Sequence, residues 1–496
     1  MTEKQLVKEL ASKTIYIYGA GMVGGLVYKR LIANGIKHDA ISFVVSETTT
    51  NQCYMDCPLI VFDEYSDNNS SIIVVATLEK NHKQIIETLI RHNIDNYIVV
   101  DNELYEDLEK CYVNEYLTNN PVIEEERQIL FMSSDNNSSS GAFLCLLDLN
   151  IELKKRGIKA LIVLPMYGTG ESLLQENELD FTYVLSKDWL GEIGRPIRNL
   201  ACNDTAIEKL VSFIYNFNIQ LVHINTTYSY VGAEAAIRTG VPYIWHIREF
   251  IKEQGFWFYD ENKSYNMINA SEYIIPVSRY VGNCYTKMDK EKFCIIYDGV
   301  DIDRFWSDRK VLLNEEISIL MPGTLIPLKG QKQLIEAAYC LKGEGFKFKI
   351  SFVGNGDADY ISELRQLIDN YDLGDLIKFV ERTNAIESLY RSSDIVIVCS
   401  RAEAFGRVTV EAQLSGCVVI GAKCGATAEI ISDYETGIFY ELDNCNDLAD
   451  KIKWVVYNRK QANLIATAGR DYASSAFSKE INADRVVDIY DYIIRK

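Results

Sequence analysis

The sequence predicts an α/β protein with parallel sheets. Short apolar runs, such as Ile317–Met321 and Ile395–Val398, have the length and composition of strands that are buried on both faces. Each run leads into a loop or turn that contains glycine, and then into a stretch with the composition or spacing of a helix. The segment FKISFVGNGD repeats the pattern, with Gly354 and Gly356 in its turn. Repeated strand–turn–helix units of this kind favour Rossmann-like domains.

Length and charge narrow the class of protein. The chain has 496 residues, which corresponds to about three domains, and its hydrophobic content of 48% supports well-buried cores. The net charge of −19 argues against a nucleic-acid partner, because binding to phosphates needs clustered lysine and arginine. We therefore look for small-molecule chemistry.

Targeting and metal signals are weak in this sequence. The start MTEKQLVKEL lacks the apolar segment of a secretory signal, and no apolar run reaches the roughly 18 residues of a spanning helix. The twelve cysteines are scattered without a Cys-x-x-Cys pair, which favours free thiols in a reducing compartment. We expect a cytoplasmic protein without a metal site.

The first predicted α/β unit runs from residue 13 to about 115. Its predicted elements are strand Thr14–Tyr18, a helix from Met22, strand Ile41–Val45, strand Ile72–Ala76, a helix near His82–Arg91 and strand Tyr97–Val100. The stretch 118–127 is polar and acidic and contains a proline, so it is predicted to be a linker.

A glycine pattern follows the first strand of this unit. Gly19, Gly21 and Gly24 stand at a helix start in the spacing of a dinucleotide fingerprint. That fingerprint also needs an acidic residue at the end of the second strand, and neither Asp39 nor Glu47 stands at that point. We do not expect NAD here, and a different nucleotide or a structural and docking role is favoured.

The segment SRAEAFGRVTVEAQLSG carries most of the chemistry. Glu403 falls in the loop after strand Ile395–Val398, and Glu411 lies inside the helix that begins near Arg407. The free N–H groups at such a helix start suit a phosphate, and two carboxylates beside it accept hydrogen bonds from hydroxyls. A nucleotide-sugar fits this combination. The alternative is a pair of glutamates on a solvated helix face.

A cation follows the turn after strand Ile317–Met321. The chain turns at Pro322-Gly323, and Lys329-Gly330 then opens a helix. A lysine at this turn can meet a phosphate that the helix dipole already favours. In isolation Lys329 would be interpreted as a solvated surface residue.

Taken in order, these segments resemble a known family. From about residue 127 to 496 the chain is similar to the retaining glycosyltransferases of family 4, which have the two-domain GT-B architecture. The matching segments are SSSGAFLCLLDLNIELKKRG, VHINTTYSYVGAEAAIRTGVPYIWHIREF, YDGVDIDRF, Lys-Gly, Gly-Asn-Gly, Glu-x-Phe-Gly and GATAEII. The resemblance implies two Rossmann-like domains that face a cleft, preceded by a third small Rossmann-like module as in bacterial surface-polysaccharide enzymes.

The resemblance also implies domain limits. We expect an N-terminal module over residues 1–120, an acceptor-side domain over 121–297 and a domain that binds the nucleotide-sugar donor over 298–477. In the family the last helix, here 478–496, crosses back onto the acceptor-side domain, and we expect the same in this chain.

The implied activity is transfer of a hexosyl unit from a nucleoside-diphosphate sugar to an acceptor hydroxyl, with retention of the anomeric configuration. The departing phosphate oxygen takes the acceptor's proton, so neither a protein nucleophile nor a metal is required. UDP-hexose is favoured as donor over GDP-mannose. The acceptor is a saccharide or a lipid-linked oligosaccharide, which allows peripheral association with the inner face of the cell membrane.

Roles carry over to matching positions. Glu403, His246 and Lys329 correspond to the groups at the donor sugar and the diphosphate, and Glu411 to the carboxylate that binds the ribose. The other implied donor-binding positions are Ser140, Gly141, Gly323, Thr324, Gly354, Arg382, Phe405, Gly406 and Arg407. On pattern alone, a lone histidine at the end of an apolar strand, as His246 is, is more often a core residue.

Some positions depart from the family pattern. Thr324 stands where an arginine is usual, so Arg407 or Arg382 is expected to meet the second diphosphate charge. Asp298 replaces an asparagine, and Gly425-Ala426 replaces a pair of glycines. Other interpretations also stay open: an epimerase or phosphorylase of the same architecture, or a binding or scaffold protein whose transferase domains have degenerated.

Overall fold

The computed structural model describes residues 1–46, 53–65, 70–122, 125–192, 200–308, 315–383 and 385–496. Over residues 1–185 the elements are α1 (Glu3–Leu10), β1 (Thr14–Tyr18), α2 (Met22–Ala33), β2 (Ile41–Val45), β3 (Cys53–Tyr54), β4 (Cys57–Val61), β5 (Ser71–Val75), α3 (Glu79–Arg91), β6 (Tyr97–Val99), α4 (Asn102–Asn119), β7 (Ile129–Met132), α5 (Gly141–Lys155), β8 (Ala160–Leu164), α6 (Glu171–Glu176) and β9 (Phe181–Tyr183).

Further along the chain the same alternation continues. Residues 186–308 contain β10 (Leu190–Glu192), α7 (Ala201–Asn216), β11 (Leu221–Ile224), α8 (Val231–Thr239), β12 (Tyr243–Ile247), β13 (Phe256–Phe258), α9 (Glu261–Asn269), β14 (Tyr273–Pro276), α10 (Arg279–Cys284) and α11 (Ile302–Phe305). From residue 315 onward follow β15 (Ile317–Pro322), α12 (Gln331–Gly343), β16 (Phe348–Val353), α13 (Ala358–Asn370), β17 (Ile377–Val380), α14 (Ile386–Ser392), β18 (Ile395–Val398), α15 (Arg407–Leu414), β19 (Val418–Ala422), α16 (Thr427–Ile430), β20 (Ile438–Tyr440), α17 (Cys445–Tyr457), α18 (Arg459–Ala476) and α19 (Lys479–Ile494). The predicted α/β class is confirmed.

The chain divides into two compact units. The first comprises Met1–Glu125, Asp135–Ser140 and Val163–Leu185, and the second comprises Glu126–Ser134, Gly141–Ile162 and Ser186–Lys496. The division into domains 1–120, 121–297 and 298–477 stays a prediction. In the stretch predicted as a linker, helix α4 already covers residues 118 and 119, and residues 123 and 124 lie outside the described parts of the chain.

The first unit contains a sheet in the order β3–β4–β2–β1–β5–β6. Strand β1 pairs in parallel with β2 and β5, and only the short β3 runs antiparallel to its neighbour β4. Apolar clusters pack on both faces of the sheet, around Leu26 and Phe43 on one face and around Val44 and Val75 on the other. This order has the Rossmann arrangement, with β1 and β5 on either side of the point where strand order reverses.

The second unit contains two parallel sheets. In one of them the unit's strands run β14–β12–β11–β7–β8, and the other has the order β17–β16–β15–β18–β19–β20. In the latter, every residue of β18 and β19 is buried, because helices cover both faces. Its order is that of a doubly wound sheet, with the switch between β15 and β18.

The last helix packs against α5. Arg156 in the loop after α5 donates to the Asp484 carboxylate at 2.7 Å, and the Tyr490 hydroxyl lies 2.6 Å from Nδ1 of His223 on β11. The side chains of Val486, Ile489 and Tyr490 are buried. In the described parts of the chain, no helix combines the length and apolar character that a membrane crossing requires.

Candidate active site

The switch point between β15 and β18 brings the predicted lysine and the first predicted glutamate together. Lys329 lies in the turn after β15 and Glu403 in the loop after β18, and the Lys329 Nζ donates to the Glu403 carboxylate at 2.6 Å. The lysine side chain is 26% exposed and the glutamate side chain 14%, so a ligand can reach both. Open α/β sheets bind ligands at this carboxyl edge, beside the strand-order switch.

Two glycines shape the neighbouring turns. Gly323 after β15 has φ +137° and Gly354 after β16 has φ +149°, a region that side-chain-bearing residues rarely adopt. A Cβ on Gly354 would lie 2.2 Å from the Gly323 carbonyl oxygen, so the two turns pack backbone against backbone. A Cβ on Gly323 would meet no atom within 4 Å, so the backbone at this position borders open space.

The loop before α15 is held by a third glycine. Gly406 has φ +96° and precedes the first residue of the helix, Arg407. Phe405 is 4% exposed and packs against Phe477, so its side chain belongs to the core. What the Phe405-Gly406 pair can offer a ligand is therefore its backbone, at the positive end of the helix dipole.

Glu411 lies on α15 and is held by two donors. The Tyr390 hydroxyl donates to one carboxylate oxygen at 2.9 Å, and Arg407 Nε lies 3.4 Å from the other. Burial raises the pKa of Glu411 above its usual value, although the Arg407 charge and the Tyr390 hydroxyl oppose the shift. The side chain is 13% exposed, which leaves acceptor positions for hydroxyl groups.

The two candidate substitutes for the absent arginine differ in their surroundings. Arg407 Nη1 donates to the Asp148 carboxylate at 3.1 Å and to the Gly299 carbonyl at 3.3 Å. The Arg382 backbone N–H donates to the Asn355 side chain at 3.3 Å, and its own side chain is exposed. A role for either guanidinium at the diphosphate stays a prediction. The same holds for a donor-binding role of Thr324, which is exposed in the turn after β15.

His246 is fully buried at the end of β12. Its Nδ1 lies 3.3 Å from His223 Nε2 and 3.2 Å from Arg248 Nη2. Burial lowers the pKa of His246 well below its usual value, and the charge of Arg248 and the neighbouring His223 act in the same direction. The imidazole is therefore neutral. No hydrogen bond joins it to Lys329 or Glu403 in the described residues, so its place beneath the donor sugar stays a prediction.

Charged residues next to His246 were missed by the sequence analysis. Arg248 pairs with the buried Asp298 and donates to the Asn225 side chain at 2.9 Å. This pairing gives a physical reason for an aspartate at position 298. The signal was available in WHIREF, where two charged residues follow a buried strand; the partner is 50 residues away and leaves no local signature.

Glu249 is a second missed group. The backbone N–H and the hydroxyl of Thr227 both donate to its carboxylate, and the backbone N–H of Arg248 donates at 3.0 Å. Burial raises the pKa of Glu249 to about 7, although these hydrogen bonds and the Arg248 charge oppose the shift. The group therefore changes charge near neutral pH.

Glu429 on α16 is a third missed residue, and it joins α16 to the start of α10. Its carboxylate accepts from the backbone N–H of Arg279 at 3.0 Å and of Tyr280 at 2.6 Å. Close by, the Ser278 hydroxyl donates to the Ala404 carbonyl at 2.5 Å, next to Glu403. The backbone N–H of Ala426 donates to the Glu403 carbonyl at 2.9 Å, so the segment GATAEII, which resembles the family pattern, positions the loop that carries Glu403.

The remaining predicted positions lie in different units. Ser140 belongs to the first unit, where its hydroxyl donates to Asp135 at 2.8 Å, and Gly141 is the first residue of α5 in the second unit. Gly425 has φ +56°, and a Cβ there would lie 2.6 Å from the Glu403 backbone nitrogen. That close approach explains a glycine at 425.

The glycine pattern of the first unit has the expected local geometry. Gly19 has φ +123°, and a Cβ on Gly24 would lie 1.9 Å from the Gly19 carbonyl oxygen, so the glycines permit the turn and the close packing of α2. A Cβ on Gly21 would meet nothing within 4 Å, and the Tyr54 hydroxyl donates to its carbonyl at 3.2 Å. Glu47 lies outside the described residues, so a nucleotide role here stays a prediction.

Comparison with known families gives two matches, one directly after the other along the chain. The model of "Glycosyltransferase Family 4" matches residues 139–304, and that of "Glycosyl transferases group 1" matches residues 303–472. Together they span about two thirds of the chain.

Among curated proteins, an uncharacterised glycosyltransferase of Methanocaldococcus jannaschii is 29% identical over 228 residues, which are 45% of this chain and 60% of that protein. A D-inositol 3-phosphate glycosyltransferase of Geodermatophilus obscurus is 28% identical over 218 residues, 41% of this chain and 48% of its own. The chain thus spans about half to three fifths of the length of these two relatives.

Solved structures share the fold. The Anabaena protein HepE in complex with UDP and glucose superposes with a TM-score of 0.63 at 23% identity, covering 74% of this chain and 100% of that one. A glycosyltransferase from Rickettsia africae gives 0.63 at 23% identity, covering 75% and 99%. At this level of identity the likeness concerns the fold.

Proposed function

Because this chain belongs to the group 1 glycosyltransferases of family 4, with the GT-B fold, we propose that it is a retaining hexosyltransferase. The donor is a nucleoside-diphosphate sugar, and the acceptor is a hydroxyl of a saccharide or a lipid-linked oligosaccharide. We place the reaction in the synthesis of a bacterial surface polysaccharide, in the cytoplasm, with peripheral association at the membrane.

The observation that supports this most is the pair Lys329–Glu403 across the strand-order switch. A cation and a carboxylate 2.6 Å apart match the two kinds of group in an activated sugar, an anionic diphosphate and neutral hydroxyls. The backbone at Gly323 and at Gly406 lies beside them, where a phosphate can approach.

The roles follow from the chemistry of each group. Lys329 stabilises the negative charge that grows on the departing diphosphate, with the N-terminal end of α15 assisting. Glu403 accepts hydrogen bonds from the donor sugar's hydroxyls near the reacting carbon. Glu411, held by Tyr390 and Arg407, accepts from the ribose hydroxyls.

The proposed glycosyl transfer breaks one bond and forms one bond at the anomeric carbon, and it needs no protein nucleophile. The bond between the anomeric carbon and the diphosphate oxygen breaks, and a bond from the acceptor oxygen to the same carbon forms on the same face. The acceptor's proton passes to the departing diphosphate oxygen. The protein contributes position and charge stabilisation, and its own residues supply no covalent step.

The test is an incubation of the full chain with UDP-glucose or GDP-mannose, with and without an oligosaccharide acceptor. UDP-glucose comes first because the Anabaena protein of this fold is seen with UDP and glucose. Release of the nucleoside diphosphate coupled to an α-linked product, identified by NMR of the anomeric proton, supports the proposal. An altered sugar released without an acceptor supports an epimerase, and no turnover of any donor supports a degenerate scaffold.

A further inference from the structure

Four buried side chains form a hydrogen-bonded series from the last helix to the strand that carries His246. The Tyr490 hydroxyl lies 2.6 Å from His223 Nδ1, and His223 Nε2 lies 3.3 Å from His246 Nδ1. Arg248 Nη2 lies 3.2 Å from the same His246 Nδ1. All four residues are less than a tenth exposed.

The donor capacity of arginine determines which nitrogen of His246 carries the proton. A guanidinium group has only donors, so His246 Nδ1 must accept from Arg248. Burial lowers the pKa of His246 well below its usual value, with Arg248 and His223 adding to the shift, so the ring is neutral. A neutral imidazole with an accepting Nδ1 has its proton on Nε2.

The same reasoning assigns His223 and Tyr490. His246 Nδ1 has one lone pair and no proton, so the His223 Nε2 that lies 3.3 Å away can only be a second donor that shares this lone pair with Arg248. Burial lowers the pKa of His223 too, followed by the charge of Arg248, so its Nδ1 is an acceptor. The Tyr490 hydroxyl therefore donates to His223 Nδ1. Every proton in the series has one position.

Arg248 is itself fixed in place. One end of its guanidinium pairs with Asp298, and its Nε donates to the Asn225 side chain at 2.9 Å. Asn225 in turn donates to the Ala142 carbonyl at 3.1 Å. The donor that sets the His246 tautomer is thus held from two sides.

The series ends in an unsatisfied group. His246 Nε2 is buried and has no hydrogen-bond partner among the described residues. A buried N–H without an acceptor costs free energy, and such groups in native structures call for an explanation. An acceptor oxygen from a bound ligand would remove that cost.

We propose that Arg248, His223 and Tyr490 are positioning residues that hold His246 as the Nε2–H tautomer, so that it donates a hydrogen bond to an oxygen of the bound sugar. This rests on the proposed function of the same site. Because Nε2, the nitrogen without a protein partner among the described residues, already carries the proton, His246 cannot take the acceptor's proton through it as a base. The last helix thereby acts on the site through Tyr490.

The direct test is ¹⁵N NMR of the full chain labelled at histidine. The chain has five histidines, and the variant His38→Gln/His82→Gln/His92→Gln leaves only the two of interest. We expect two-bond couplings to show protonated Nε2 and bare Nδ1 in both rings, and UDP-glucose to move the His246 Nε2–H signal. A proton on His246 Nδ1 overturns the proposal, whatever the activity.

Measurements of kcat distinguish a positioning role of Tyr490 from a general contribution to stability. Tyr490→Phe removes the hydrogen bond that holds the His223 ring in place but leaves Arg248, which sets the His246 tautomer. We therefore expect an unchanged His246 tautomer, a less firmly held ring and a fall in kcat of about five- to tenfold, the value of one hydrogen bond, at a nearly unchanged donor KM. Tyr243→Phe is the matched control, because it removes a buried hydroxyl on the His246 strand that donates to the Met267 carbonyl at 2.7 Å. If both variants lower kcat equally, positioning by Tyr490 is wrong. If the wild-type chain shows the expected histidine tautomers but transfers no sugar, the proposed function is wrong and the tautomer assignment stands.

Discussion

Lys329 and Glu403 form an ion pair 2.6 Å long at the switch point. An ion pair that is partly exposed contributes only about 0–1 kcal/mol to stability, so a diphosphate can replace the carboxylate as the lysine's partner at little cost. The carboxylate is then free to accept from sugar hydroxyls. In the proposed function, the lysine of this pair would hold the diphosphate and the glutamate would hold the sugar.

The first prediction concerns the lysine. Lys329→Ala should lower kcat by at least about 10²-fold, because the variant loses the charged contact to the leaving diphosphate. The control is Lys332→Ala, a half-exposed lysine at the start of α12, three residues after Lys329, whose Nζ lies 3.6 Å from Glu363. Initial rates of nucleoside diphosphate release give the comparison; a Lys329→Ala enzyme as fast as the control would contradict the assignment.

Substitutions of Glu411 and Glu403 should affect different measurements, nucleotide affinity in the first case and sugar transfer in the second. Glu411→Ala should lower turnover by about 10²-fold or more and weaken nucleotide binding, since Glu411 is assigned to the ribose. Glu403→Gln should reduce transfer more than nucleotide affinity, because it is assigned to the sugar. Calorimetric titration with the free nucleoside diphosphate checks this; collapse of affinity in Glu403→Gln would mean that the two roles are exchanged.

At the scale of elements, the site depends on turns that only glycine fits. Gly354→Ala should destabilise the fold by at least about 1–3 kcal/mol, since φ is +149° and the added Cβ would lie 2.2 Å from the Gly323 carbonyl. Gly374→Ala is the control, with an ordinary φ and no atom within 4 Å of the added Cβ. Urea unfolding gives the comparison, and equal midpoints for the two variants would refute the turn geometry.

The segment after β12 predicts a pH effect on stability. Glu249 has a pKa of about 7 in the folded chain against an ordinary 4.5, so between these values the folded state binds the proton that the unfolded state has lost. The contribution is fully present below about pH 4.5 and decreases as pH rises to 7, by about 3 kcal/mol at most.

Glu249→Gln should remove this term, so the unfolding free energy of the variant should fall less between pH 4.5 and 7 than that of the wild type. The exposed Glu253→Gln serves as control and should keep the wild-type profile. Chemical unfolding at several pH values provides the measurement, and parallel curves for wild type and Glu249→Gln would show that Glu249 is not the responsible group.

How far the sequence determines these elements depends on burial. Strands β1, β2 and β18 have the predicted limits, because strands covered on both faces are short apolar runs between turns. Helix α4 extends into the predicted linker, since its polar end has no apolar period to mark it. The buried pair Arg248–Asp298 was not predictable, because long-range partners depend on packing that a single sequence does not show.

For the whole molecule, we expect one class of ligand to raise the melting temperature selectively. A ligand that binds only the native state raises the melting temperature by mass action. In a panel of UDP, GDP, CDP, TDP and NAD, we expect the largest shift from UDP and a smaller shift or none from NAD. The shift from UDP should be reduced in Glu411→Ala, since that variant lacks the ribose contact.

The central claim is that the switch point of the second unit holds the nucleotide-sugar through Lys329, Glu403 and Glu411. A crystal structure of the full chain with the nucleotide that gives the largest thermal shift tests it most directly. We expect diphosphate oxygens within hydrogen-bond distance of Lys329 Nζ and ribose hydroxyls on the Glu411 carboxylate. Nucleotide density elsewhere in the molecule, with the Lys329–Glu403 pair unchanged, would contradict it.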